Sequence, residues 1–167
     1  AGKDIVSLHI SAGISGTFEA AGQARQRLID EGKGGARIHV LDSRSAAGGL
    51  GLCVLGAAAA AATGAGGEAV VARAEETRES LKMWFAIDTL EYLRRGGRIG
   101  GARAWIGGAL KIKPILTLEE EITPVERVRT RARSLERLRD YARQRHESGA
   151  DGWVVQHIQD DETAATL

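Results

Sequence analysis

Asp4-Ile5-Val6-Ser7-Leu8-His9-Ile10-Ser11-Ala12-Gly13-Ile14-Ser15-Gly16-Thr17-Phe18 passes without a break from an apolar run, through a turn of small residues, into a helical pattern. Residues 4–10 have the length and branched side chains of a buried strand, 11–17 supply the turn, and a helix is predicted over 18–31. Glycines at 32, 34 and 35 stop that helix. A second strand follows over 37–41, with Asp42 and Ser43 placed to cap a helix over 45–62. Two strand-turn-helix units in series imply a parallel sheet. Residues 63–67 end the second helix, and 68–81 resume helical period with the charged face of an exposed connector, so a domain junction is expected near its end.

The pattern changes beyond that point. Residues 83–88 read as a short apolar strand, 89–95 as a helical turn or two and 102–110 as a short helix. Residues 114–118 and 122–128 alternate around Glu119-Glu120-Glu121, the mark of an antiparallel hairpin. An amphipathic helix over 131–147 carries Leu135, Leu138 and Tyr141 on one side. A last strand is predicted over 152–158, and Asp160-Asp161 is placed to cap one more helix. The fold class is therefore α/β: a partial parallel-sheet domain over 1–80, then a partial α+β domain over 81–167 with a largely antiparallel sheet.

Composition narrows the function. The single cysteine, Cys53, cannot form an intramolecular disulfide, and 43% apolar residues with two prolines describe a folded chain from a reducing compartment, the cytoplasm. Lys and Arg total 23 against 22 Asp and Glu, a net charge of +1, so no global field recruits nucleic acid or membrane. Lys3, Asp4 and His9 interrupt any secretory leader over 1–10. The stretch 46–63 is mostly Ala and broken by glycines, too weakly apolar for a bilayer span of about 20 residues. There are 22 glycines, roughly twice ordinary usage, gathered where backbone approaches something closely.

Four constellations carry possible chemistry. In Ser11–Thr17, at the carboxyl end of a strand and the start of a helix, hydroxyls, small residues and helix-start N–H groups suit a carboxylate or phosphate. The plainer alternative is that Ser15 only caps the helix, and the enzymatic one is a nucleophilic Ser11 or Ser15, although Gly-x-Ser-x-Gly spacing is missing. In Leu93-Arg94-Arg95-Gly96-Gly97-Arg98-Ile99-Gly100, a glycine turn presents guanidinium groups to an oxyanion, unless residues 88–92 hold them in structural ion pairs. The helix over 45–62 is apolar on nearly every side and must be covered, by neighbours or by an apolar ligand. The series Arg127, Arg129, Arg131, Arg133, Arg137, Arg139, Arg143 and Arg145 suggests nucleic acid, but Glu126, Glu136, Asp140 and Glu147 interleave with it as on a solvated helix. No metal ligand set appears at the required spacing, and Cys53 in an apolar helix reads as a core residue. His157 closes the predicted last strand, a place where ligand-facing side chains collect.

Taken together, residues 10–18, Val40-Leu41-Asp42-Ser43 with 48–52, Asp88-Thr89-Leu90-Glu91-Tyr92-Leu93-Arg94-Arg95-Gly96-Gly97-Arg98-Ile99, Lys113-Pro114-Ile115-Leu116 and Val128-Arg129 resemble the DegV family of bacterial fatty-acid-binding proteins. The resemblance implies a two-domain α/β protein that holds one long-chain fatty acid in a tunnel between its domains. It implies no cofactor and no chemistry by the protein alone, with delivery of the acid to a fatty-acid kinase that forms an acyl phosphate. Position by position, Ser11 matches the first serine of the family's turn and is the expected carboxylate donor, supported by Gly13 and Ser15. Ala12 stands where the family has a second serine, which leaves one hydroxyl fewer. Arg98 and Arg129 match arginines of the head-group or kinase-facing surface, and His157 resembles a late histidine near the carboxylate. On this resemblance the chain reads as the middle of a longer member. The competing classes are a serine-dependent hydrolase or transferase and an arginine-helix nucleic-acid-binding module.

Overall fold

Alternation within the first apolar run sets the first layer. In the computed structural model, which describes residues 2–106 and 112–167, strand β1 (Ile5–His9) pairs in parallel with β2 (Ile38–Asp42). Val6 and Leu8 turn to one face of this sheet, where they pack on a core of Leu41, Ala57, Val70 and Ala74. Helix α1 (Thr17–Asp30) connects the two strands, and α2 (Ala47–Ala62) and α3 (Gly67–Ser80) supply Ala57, Val70 and Ala74 to the core. These elements form one of two compact units, Ala1–Lys82 and Met83–Leu167.

In the second unit, β3 (Phe85–Ala86), β4 (Lys113–Leu118) and β5 (Ile122–Val128) form an antiparallel sheet in that order. The middle strand is the most buried: Ile115 and Leu116 are both fully enclosed although they point to opposite faces. A register shift lies between them, Ile115 facing Glu126 and Leu116 facing Pro124, so Val125 is the inserted residue of a bulge. Two short helices, α4 (Glu91–Arg95) and a 3-10 helix over Gly100–Trp105, precede the hairpin. Gly100 sits at φ +48°, and a Cβ there would lie 2.4 Å from the Ile122 carbonyl oxygen, so no other residue fits.

Helix α5 (Arg131–Glu147) stacks Tyr141 on Trp84 with ring centroids 5.0 Å apart. Arg137 lies over the same Tyr141 ring and bonds both Glu126 (2.8 Å) and Asp140 (2.9 Å). Thr130 caps α5 by accepting a hydrogen bond from the Arg133 N–H. Thr130→Ala is expected to destabilise the protein by about 1 kcal/mol, measured as a small fall in the urea midpoint at unchanged slope.

The structure corrects several expectations. Asp42 and Ser43 do not cap α2, whose preceding residue, Ala46, provides no side-chain cap either; Asp42 bonds N–H groups in the loops after both strands, and Ser43 bonds Ser45 in the loop after β2. Residues 152–158 form no ladder, because no strand lies beside them among the described residues, and Trp153, Val154, Val155 and Ile158 stay exposed. His157 thus stands on an irregular segment rather than at a strand's end. Asp160 precedes α6 (Asp161–Ala164) without capping it, its carboxylate being drawn to Arg131. The strand expected over 83–88 shrinks to two residues. Of the helix expected over 102–110, the part to Trp105 is a 3-10 helix beginning at Gly100, and 107–111 lie outside the described residues. Helix α2 is covered on one side only: Cys53 and Ala57 are buried, whereas Leu55 is 66% exposed.

Candidate functional site

Parallel pairing places His9 opposite Asp42, so the chains leaving β1 and β2 run on side by side. Open α/β sheets bind ligands at this carboxyl edge. The two loops are stitched together: the Ser11 N–H donates to the Ser45 carbonyl at 2.8 Å and the Ser43 N–H to the His9 carbonyl at 3.0 Å. Asp42 Oδ1 accepts from the N–H groups of Ala12 (3.2 Å) and Arg44 (2.9 Å), one from each loop. Ser11, Ser43 and Ser45 are all buried, with Ser11 at 0% exposure.

Within the first loop, the Gly13 N–H donates to Ser11 Oγ at 3.2 Å, and the N–H groups of Ile14 and Ser15 both donate to the Ser11 carbonyl at 3.1 Å. Ser15 Oγ donates to Thr17 Oγ1 (3.2 Å) and accepts weakly from the Thr17 N–H (3.4 Å), while Gly16 is the residue before α1. The amides from Ala12 to Ser15 are thus all engaged, that of Ala12 by Asp42 and the other three by Ser11. An incoming anion would meet hydroxyls and the first-turn amides of α1, which helix geometry leaves without a partner inside the helix.

The structure brings Ser11, Gly13 and Ser15 together in this turn of the first unit. Arg98, Arg129 and His157 stand on three separate segments of the second. Arg98, exposed beyond the left-handed Gly97, donates to the Gly96 carbonyl. Arg129 is exposed between β5 and α5. His157 is exposed, and its Nδ1 accepts from the Asp160 N–H at 3.0 Å. Arg94 and Arg95 are the structural pair: both reach Glu91 at 2.7 Å, and these guanidiniums, Arg94 foremost, hold its carboxyl down to about 2. The arginine helix is likewise laced with carboxylates, Arg133 to Glu136, Arg137 to Glu126 and Asp140, and Arg143 to Asp140. Arg127 instead lies over the Trp105 ring, 4.9 Å from its centroid.

A Ser–His hydrogen bond joins Ser7 Oγ to His9 Nε2 at 2.8 Å along β1, a pairing that strand alternation makes available at two-residue spacing. Burial pushes the Cys53 thiol up, which suits a packing role over a thiolate. Among the described residues, no group of three or more His, Cys, Asp or Glu side chains could hold a metal ion, and no helix is long and apolar enough to cross a membrane. Sequence reasoning missed Ser43 and Ser45 as part of this site. Their signal is the pair of small polar residues directly after a strand that lies parallel to the one preceding Ser11.

The family model described as "Uncharacterised protein, DegV family" matches residues 1–167. The chain belongs to the DegV family. A DegV domain-containing protein of Streptomyces coelicolor is 39% identical over 164 residues, 98% of this chain and 56% of the relative. Among the solved structures that share its fold are two DegV proteins. One is DegV of Bacillus subtilis, described as a fatty acid binding protein, with 30% identity and a TM-score of 0.79 over 98% of this chain and 57% of that one. The other, described as fatty acid binding of a DegV family protein from Thermus thermophilus, has 38% identity and a TM-score of 0.73 over 87% of this chain and 50% of that one. The chain spans about half the length of these DegV relatives.

Proposed function

We propose that this DegV-family chain binds a long-chain fatty acid, with the carboxylate held by Ser11, Ser15 and the first-turn amides of α1. The observation that carries this reading is the buried Ser11 at the carboxyl edge of a parallel sheet, in a chain whose relatives of known structure are described as fatty acid binding. Arg98, Arg129 and His157 are assigned to the head-group or partner-facing surface. The protein does no chemistry alone, works in the cytoplasm, and presents the acid to a fatty-acid kinase for conversion to acyl phosphate.

The energetics divide the labour. Burying a tail of roughly fourteen methylenes at about 0.8 kcal/mol each gives a gross term on the order of 11 kcal/mol. Hydrogen bonds to a charged head group contribute about 1.5–3 kcal/mol apiece. The tail therefore sets affinity, and the polar turn sets orientation and the preference for an acid.

Mass spectrometry of an organic extract of the purified protein tests the assignment. A long-chain acid near one per chain is expected, or uptake of one equivalent when the acid is added. A lipid-free protein that takes up none would remove the assignment.

A further inference from the structure

We infer that the loop after β2, through Asp42 and Ser43, is the positioning element of the turn that grips the ligand. This rests on the fatty-acid reading above, and concerns residues that touch Ser11 and its neighbours rather than the ligand. Three contacts cross between the loops, and all converge on the backbone of residues 9–12. The Ser45 carbonyl takes the Ser11 N–H, the His9 carbonyl takes the Ser43 N–H, and the Asp42 carboxylate takes the Ala12 N–H.

The loop that makes these contacts is itself held rigid. Ser43 Oγ donates to the Ser45 carbonyl, the same oxygen that anchors Ser11, and accepts from the Ser45 N–H, both at 3.2 Å. Asp42 Oδ1 binds the Arg44 N–H alongside that of Ala12, and Arg78 of α3 reaches the Asp42 carbonyl at 3.4 Å. Arg44 and Ala47 flank Ser45 at φ +45° and +51°, conformations that side chains rarely adopt and that surrounding bonds must enforce. Behind the loop there is no slack, since a Cβ on Gly49 would fall 2.1 Å from Ser45 Oγ. The Ser11 hydroxyl offered to a carboxylate is therefore placed, through the backbone that carries it, by atoms of a different strand and loop. A grip on a charged group depends on such placement, whereas packing of an apolar tail does not.

The test compares a long-chain fatty acid with the methyl ester of the same acid, in direct titrations of the wild-type protein and three variants, with thermal melts of each. Asp42→Ala is expected to weaken acid binding about tenfold, by analogy with the loss of supporting groups around other preorganised sites, while ester binding stays within about twofold. Asp42→Asn restores acid binding, because its amide oxygen accepts the same two N–H groups. Ser43→Ala, a smaller change that keeps the backbone contacts, reproduces the selective loss in weaker form and covers the case in which Asp42→Ala does not fold. Acid and ester binding falling together, or an unchanged preference for the acid in both Asp42→Ala and Ser43→Ala, overturns the positioning role while leaving the fatty-acid assignment intact. A wild-type protein that binds neither compound overturns both.

Discussion

Ser11→Ala is expected to weaken binding of a long-chain fatty acid by about tenfold to a hundredfold, the loss of one hydrogen bond to a charged group. Two features put the effect at this end of the range. The Ser11 side chain is withheld from bulk water, where a hydrogen bond to a carboxylate is electrostatically strongest. The backbone bonds of Ser11 to Ser45, Ile14 and Ser15 do not involve the hydroxyl and persist in the variant. Gly13, whose N–H loses the Ser11 oxygen, is exposed and turns to water. The thermal midpoint should therefore move little while the preference for acid over ester collapses. Isothermal titration with both compounds reads the difference directly, and an unchanged acid affinity would remove Ser11 from the site.

The second large effect falls on stability. Leu116→Ala should destabilise the second unit by about 3–5 kcal/mol, the transfer term of a fully enclosed side chain plus the cavity left behind. Leu116 lies in the middle strand, facing Phe85 on one side and Pro124 on the other, so no neighbour can relax into the space without breaking a ladder. Whole domains hold only about 5–15 kcal/mol, so the variant should melt far below the wild type. All three tryptophans, at positions 84, 105 and 153, belong to this unit. Tryptophan fluorescence therefore follows its unfolding, and a midpoint within a few degrees of wild type would show that the sheet repacks.

Much of the architecture was legible because it is periodic. Val6 and Leu8 alternate with Ser7 and His9, and the interval between the helix-stopping glycines and Asp42 admits only a second short strand. The hairpin and α5 follow from alternation around the three glutamates and from the spacing of Leu135, Leu138 and Tyr141. The misses are non-local. Trp153, Val154, Val155 and Ile158 have high strand propensity, but a ladder needs a second backbone, and composition cannot say whether one is adjacent. Asp42 looked like a helix cap because capping is a local rule, whereas its carboxylate answers to Ala12, thirty residues earlier in the chain. Ser43 and Ser45 escaped for the same reason: their role exists only once β1 and β2 share a register. Of the candidate site, Ser11, Gly13 and Ser15 were read from one strand-turn-helix transition, Arg98 from a glycine turn and His157 from the end of a predicted strand, while the head-group or kinase-facing role of Arg129 rested on the family resemblance.

The bulge at Val125 and the proline before it have a bearing on how the protein behaves in a crowded cell. Strand β5 forms the outer margin of its sheet among the described strands, and a flat margin of that kind is a template for polymerisation. Pro124 offers no N–H to a newcomer, the inserted residue twists the margin away from flatness, and Glu126 and Arg127 add charge beside it. Among the described strands, the bulge, the proline and the charges together disfavour edge-to-edge pairing along the strand that covers the most hydrophobic segment of the unit.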